Sequence, residues 1–497
     1  MTRLSNSSLK TMTGRVSGPT YDRSALKAGI LHFGVGNFHR SHQAVYLDAL
    51  FNSGLDHDWA VVGAGIFSGA MTSWQRLREQ DWLTTVVQQE GDDSSARIIG
   101  VMLDYLTPGD WSAIVEKLSD PSIRIVSLTI TEGGYFIDAP TGKFNSNHPE
   151  IVADAQNQDH HKTVFGLILA GLKVRRRAGV EPFTIMSCDN IPYNGRVTAN
   201  ALIGLAALND PQLAIWIKDN IAFPNGMVDR ITPATTDSHR EQLKKEFGIE
   251  DAWPVFCEPF KQWVLEDHFP AGRPALEKVG VQFVADVSPF ELMKIRILNG
   301  GHAAIAYPAA LLDIQFVHEA MEQPLVSAFL GKLEREEIIP TVPQVPGTDL
   351  PHYYRTIENR FSNRSIADTI DRLCFDGSNR QPKFIVPTAA DSIRISGRAS
   401  GLALVSALWC RYCHGDTDSG RPIAANDSIW DRLRSTARAA KENPASWLSM
   451  SDIYGALGTN PAFARDFASH LASLWRQGTA ATLQDYISRE HEEGMRS

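Results

Sequence analysis

The chain has no surplus of positive charge, few cysteines and no long apolar run, and each shortage closes off a class of protein. With 48 Lys and Arg against 57 Asp and Glu, the formal net charge is -9. Nucleic acid, whose binding rests on many cationic contacts to phosphate, is therefore not an expected partner. The one compact basic run, Lys173 to Arg177, lies at the end of a helical pattern, where cations complement the dipole and face solvent. Five cysteines in 497 residues do not make a disulfide framework, so reduced thiols are expected. No segment offers about 20 uninterrupted apolar residues, and the polar start MTRLSNSSLKTMTGR has no apolar core of signal-peptide length. A cytoplasmic protein with no membrane partner is the expectation. The histidines show no H-E-x-x-H or comparable spacing, so nothing calls for a metal.

Cys410, Cys413 and His414 spell C-x-x-C-H, the attachment pattern of a c-type haem. Haem attachment of this kind belongs to exported proteins, and the run LALVSALWCRYCH reads as a packed helix. Buried structural thiols are the better account.

At this length two domains are expected. The first half alternates strand-like runs (ILHFGVG at Ile30, WAVVGAGI at Trp59, IRIVSLTI at Ile123, FTIMSC at Phe183) with helix-like ones. That alternation predicts a doubly wound α/β domain, a parallel sheet covered by helices. Strand-like pieces at Trp253, Gln262 and Val281 close this half. After Ser288 helical runs dominate, so the expected division is a Rossmann-type dinucleotide-binding domain over 1–287 and a mostly α-helical substrate and catalytic domain over 288–497.

GVGNFHR follows the first strand and precedes a helix, where a dinucleotide-binding turn belongs. Gly34 permits a tight turn, and Gly36 lets the backbone approach a pyrophosphate. Val35, Asn37 and Phe38 complete the candidate cofactor contact, and His39 stands where the usual third glycine would be. The residue after the second strand decides between NAD and NADP, because a carboxylate there accepts from the ribose and repels a 2′-phosphate. Phe67, Ser68, Gly69 and Ala70 hold no carboxylate, so NADP is admitted alongside NAD and its use is favoured. Arg76 is the nearest cation in sequence.

SLTITEGGYF and SCDNIPYNG end two further strands in polar turns, where ligands of open α/β sheets bind. Asp189, Asn190 and Asn194 read equally as turn or cap residues. In FPNGMVDRITP, Asp229 and Arg230 read as a structural ion pair. The stretch MKIRILNGGH, from Met293 to His302, is the richest in chemistry. On an α-helix Lys294, Asn299, His302 and Glu291 fall within an arc of roughly 140°. A buried lysine is a credible general base, and asparagine can donate to an oxygen gaining charge. Paired Gly300 and Gly301 cost a helix roughly 1 kcal/mol each, which points to close approach by a ligand or another backbone.

Together GVGNFHRSHQAVYLD, SLTITEGGYF, SCDNIPYNG, FPNGMVDRITP, EPFKQWVLED and K-x-x-x-x-N-x-x-H at Lys294 resemble the polyol-specific long-chain dehydrogenases, the mannitol dehydrogenase family. The likeness spans nearly the whole chain. It implies metal-free, reversible hydride transfer at C2 between a polyol such as D-mannitol and a nicotinamide. It implies Lys294 as general base, Asn190 and Asn299 as donors to the alkoxide, and His302 as an orienting residue. Glu291 is implied on the path of the lysine's proton, with Asp229 and Arg372 as contacts to substrate hydroxyls. Arg380 stands where members of the family often carry lysine, and Gly69 and Ala70 where NAD-dependent members carry acids. A uronate reductase acting on fructuronate or tagaturonate is the alternative within the family, with Arg372 and Arg380 facing the substrate carboxylate. A non-catalytic nucleotide sensor is the alternative outside it, although nothing would then favour Lys294 with both asparagines. A monomer or weak oligomer is expected.

Overall fold

The computed structural model describes residues 2–9, 15–65, 70–138, 142–157 and 161–488. The chain forms two compact units, Met1–Ser288 and Pro289–Ser497.

The first unit is built on five parallel strands: β1 (Ala28–Phe33), β2 (Ala60–Ala64), β3 (Met102–Tyr105), β4 (Ile125–Leu128) and β5 (Thr184–Ser187). Their spatial order is β5-β4-β1-β2-β3. Neighbouring residues on β1 feed opposite faces. Leu31 packs with Phe33, Val126, Leu128 and Phe165, while Ile30 packs with Tyr46, Leu50, Val61 and Ile125. Each such buried Leu or Phe contributes roughly 1.5–3 kcal/mol relative to an exposed one. A sheet apolar on both faces is stable only when both are covered, and the helices supply the covers. They include α1 (Asn37–Ser41), α2 (Gln43–Asn52) and α3 (Val164–Ala178). The strand order reverses between β4 and β1, which is where an open α/β sheet leaves a crevice for ligand.

The strands at Trp253, Gln262 and Val281 do not extend this sheet. Gln262–Glu266 pairs antiparallel with Gly226–Asp229 and parallel with Gln282–Val284, forming a three-stranded sheet of its own. Val255–Cys257 joins a hairpin of Thr84–Glu90 and Asp93–Ile99. That hairpin escapes sequence patterning because its outer half, QQEGDDSS, is polar throughout. The basic run is also not wholly solvated. Arg175 is 2% exposed and donates to the carbonyls of Glu181, Leu118 and Asp120, tying the end of α3 to the chain ahead of β4.

The second unit is helical. Helix Ser288–Met293 runs into a π-helix, Lys294–Asn299, and then into α4 (Gly300–Leu311). Further on lie α5 (Leu350–Phe361) and α6 (Ser400–Cys413). Every residue of α4, and every residue of α6 from Gly401 onward, is buried; helices apolar all round belong in a core. Cys410 and Cys413 are buried thiols whose pKa values burial pushes up. His414 Nδ1 pairs with Asp416 at 2.8 Å. Among the described residues no helix is long and apolar enough to cross a membrane.

Candidate active site

In the first unit the turn after β1 walls a cavity of about 280 Å³, lined in part by Gly34, Val35, Gly36, Ala64, Ala70 and Thr129. Gly34 has φ +93°, and a Cβ there would lie 2.0 Å from the Thr129 carbonyl oxygen, so only glycine fits. Its own carbonyl accepts from Thr129 Oγ1 at 2.7 Å and sits 3.1 Å from His32 Nε2. His39 takes the room of a third glycine by stacking on His32, ring centroids 3.6 Å apart. Burial drives both imidazoles towards the neutral form, His32 down to about 3. Asn37 spends its amide on the Pro233 carbonyl and Thr235 Oγ1, each at 3.1 Å, and Phe38 stacks on His42. Ser68, with Phe67 and Gly69, lies outside the described residues.

Sequence patterning overlooked several residues of the cavity wall: Ser73, Tyr105, Thr131 and Lys162. Ser73 was legible in principle, one helical turn after Ala70; it lines the cavity, and Arg76 does not. Lys162 carried no signal, since it precedes a helix far along the chain.

The polar loop after β5 is tightly committed. The Asp189 carboxylate accepts from the N–H groups of Ile130 and Thr131, both at 2.9 Å, and from the Tyr135 hydroxyl at 2.6 Å, locking the loop after β4. Asn194 bridges the Asp189 and Gly226 carbonyls and accepts from the Gly226 N–H. Between them Asn190 is exposed. Asp229, 4% exposed, ends a strand. Arg230 beside it donates to the carbonyls of Glu258 and Ser41.

In the second unit Glu291, Lys294 and His302 are all less than 10% exposed, with Asn299 half-buried. The α-helical arc expected for them is corrected by the π-turn. A π-helix closes its hydrogen bonds at i→i+5, nearly one residue more per turn, so the angle between Lys294 and Asn299 narrows from about 140° to roughly 50°. Arg296 pins this segment by donating to the Thr341 carbonyl and to Asp391. His302 stacks on Phe361 at 4.0 Å. Burial, and then the cations Arg372, Arg380 and Arg360, hold its pKa well below the usual value, so the ring is neutral. Its Nε2 has no hydrogen-bond partner among the described residues. Gly301 allows close packing, since a Cβ there would lie 3.1 Å from Glu334 Oε1; at Gly300 the nearest atom is 3.7 Å away. Arg372 grips Asp368 with both arms of its guanidinium, and Arg380 donates to the Leu373 carbonyl. Among the described residues no group of three or more His, Cys, Asp or Glu is placed to hold a metal.

A glycine turn walling a cavity beside the strand-order reversal defines the first unit as a Rossmann-type dinucleotide-binding domain, followed here by a helical unit carrying Lys294. The chain belongs to the mannitol dehydrogenase family: the mannitol dehydrogenase Rossmann domain matches residues 28–278 and the mannitol dehydrogenase C-terminal domain residues 286–475. It is 56% identical to mannitol 2-dehydrogenase of Cereibacter sphaeroides over 478 residues, 96% of this chain and 100% of that protein. Against mannitol 2-dehydrogenase of Aspergillus terreus the identity is 41%, covering 95% of this chain and 96% of that one. Among solved structures, Pseudomonas fluorescens mannitol 2-dehydrogenase in ternary complex with NAD and D-mannitol is 44% identical with a TM-score of 0.87, covering 98% and 99% of the two chains. A substrate-free D-sorbitol dehydrogenase is 34% identical, TM-score 0.89, covering 97% and 100%.

Proposed function

We propose that the protein is a NAD(P)-dependent polyol dehydrogenase that transfers hydride reversibly at C2 of D-mannitol, or a closely related polyol, giving D-fructose or the corresponding ketose. The observation that carries this beyond family membership is the buried Lys294 sharing a π-turn with Asn299, a rare geometry that recurs at functional sites. A nicotinamide dinucleotide, when bound, supplies the hydride acceptor or donor. Gly34, Val35, Gly36 and Ala70 fit its binding, because a glycine-only turn opens onto a cavity at the carboxyl end of β1. Asn37 and Phe38 would serve through their backbone N–H groups, their side chains being engaged elsewhere, and Ser68 is assigned to the same contact.

Lys294 takes the proton from the C2 hydroxyl as general base, and Glu291 passes that proton on towards solvent. Asn190 and Asn299 donate to the developing alkoxide, the kind of fixed donor worth a few kcal/mol each. His302, neutral, offers Nε2 to a substrate hydroxyl; Asp229, Arg372 and Arg380 contact the remaining hydroxyls. The uronate alternative is disfavoured by the relatives that match nearly the whole chain, which are mannitol 2-dehydrogenases.

Purified protein assayed with D-mannitol, D-sorbitol, D-arabinitol, their ketoses and fructuronate, each against NAD(H) and NADP(H), tests the proposal. Turnover should appear with mannitol and fructose. Turnover confined to fructuronate would overturn the polyol assignment, and binding without any turnover would favour a nucleotide sensor.

A further inference from the structure

Behind the glycine turn lies a buried cation that the proposed reaction does not use. Arg40, on α1, is 2% exposed. Its guanidinium donates to the Gly36 carbonyl at 3.3 Å, to Asn37 Oδ1 at 2.8 Å and to the Trp253 carbonyl, and it lies 3.7 Å from the centre of the Trp253 ring. All three acceptors are uncharged. Asp251, whose field reaches it, spends its oxygens on Gln80 and on the N–H groups of Thr85 and Trp253. Among the described residues no carboxylate stands within ion-pair distance of Arg40. Burial lowers its pKa to about 9, which leaves it cationic at neutral pH.

A buried charge without a counter-ion is costly, so its retention calls for an anion that completes it. The geometry indicates where that anion sits. Gly36 contributes to the cavity wall, and its carbonyl faces the guanidinium. In a planar trans peptide the Asn37 N–H then points the opposite way, away from Arg40. Helix dipoles normally supply positive potential at such a turn, but α1 is only five residues long and breaks at His42, with φ -116° and ψ -86°. One turn of helix carries little of that potential.

We propose that Arg40 is a positioning residue for the cofactor's pyrophosphate, its charge acting through the glycine turn in place of a long helix dipole. This rests on the dehydrogenase reading above and deepens it. Arg40→Gln should weaken binding of ADP-ribose and NAD⁺ roughly tenfold or more, while adenosine, which has no phosphate, stays within about twofold. Turnover at saturating cofactor should change by less than about threefold, and the salt dependence of ADP-ribose affinity should flatten. Arg40→Lys keeps the charge and should recover most of the affinity; it also decides the matter should Arg40→Gln not fold. Equal weakening of adenosine and ADP-ribose in either variant, or unchanged ADP-ribose affinity in Arg40→Gln, would overturn the proposal. Absence of ADP-ribose binding by the unmodified protein would overturn the dehydrogenase reading itself, and this inference with it.

Discussion

Two buried ionisable side chains in the second unit carry different burdens. Lys294 is assigned to the proton and not to the nucleotide. Lys294→Ala should therefore lower turnover by at least about a hundredfold while leaving the dissociation constant for NADH within a few-fold. Single-turnover kinetics and a fluorescence titration separate the two, and near-normal turnover would sink the assignment. Glu334 has no such task. It is fully buried, neither carboxyl oxygen has a partner among the described residues, and burial, then the field of Glu358, hold its pKa well above the usual carboxylate range. A group whose folded pKa is raised contributes its full stability below the unfolded value, about 4.3, and loses it as pH rises through the folded value. Stability of the unmodified protein relative to Glu334→Gln should accordingly fall as pH rises above about 4.3. Denaturant unfolding of both proteins at several pH values measures this; parallel profiles would show that Glu334 is not buried as a neutral acid.

At the scale of elements, the π-turn is the feature that the sequence concealed. The residue types were legible, because lysine, asparagine and histidine at that spacing suit proton transfer, but the geometry was not. Patterning at 100° per residue assumes the helix whose face it then reads, and one extra residue per turn leaves no mark on composition. The turn after β1 was legible down to Gly34, since a single glycine at φ +93° is forced by the Thr129 carbonyl. The His32 and His39 stack beneath it was not, because it joins a strand residue to a helix residue through space. With Asn299 on the same π-turn as Lys294, Asn299→Ala should slow oxidation and reduction alike, by roughly ten- to a thousandfold, as removal of an oxyanion donor does. Asn190→Ala should act in the same way. Steady-state constants in both directions check each variant. A loss of thermal stability with unchanged turnover would return these residues to the turn and cap roles that the loop around Asp189 and Asn194 already displays.

For the whole molecule, the alternation of strands and helices announced the five-stranded sheet, because its members are buried on both faces and read as continuous apolar runs. The side sheets were legible only as separate strand-like runs at Trp253, Gln262 and Val281; their pairing was not, because the partners are far apart in sequence, as with Val255–Cys257 on Thr84–Glu90. The same long-range assembly bears on the choice of cofactor. Ala70, Ser73 and Lys162 meet at one cavity, which puts a cation and no carboxylate in its wall, and the undescribed residues 66–69 are Ile, Phe, Ser and Gly, none of them charged. Among the described residues of that wall none repels a 2′-phosphate. NADP(H) should therefore bind at least comparably with NAD(H), and Ala70→Asp should shift preference towards NAD(H), chiefly by weakening NADP(H) through repulsion at short range. Thermal unfolding gives a readout independent of turnover. Ligand at a hundredfold excess over its dissociation constant stabilises the folded chain by about 2.7 kcal/mol, a rise of several degrees in Tm. Both dinucleotides should produce that rise in the unmodified protein and in Lys294→Ala, whereas Ala70→Asp should keep it for NADH and lose most of it for NADPH. A rise with NADH alone in the unmodified protein would mean that the ribose is held elsewhere than beside Ala70.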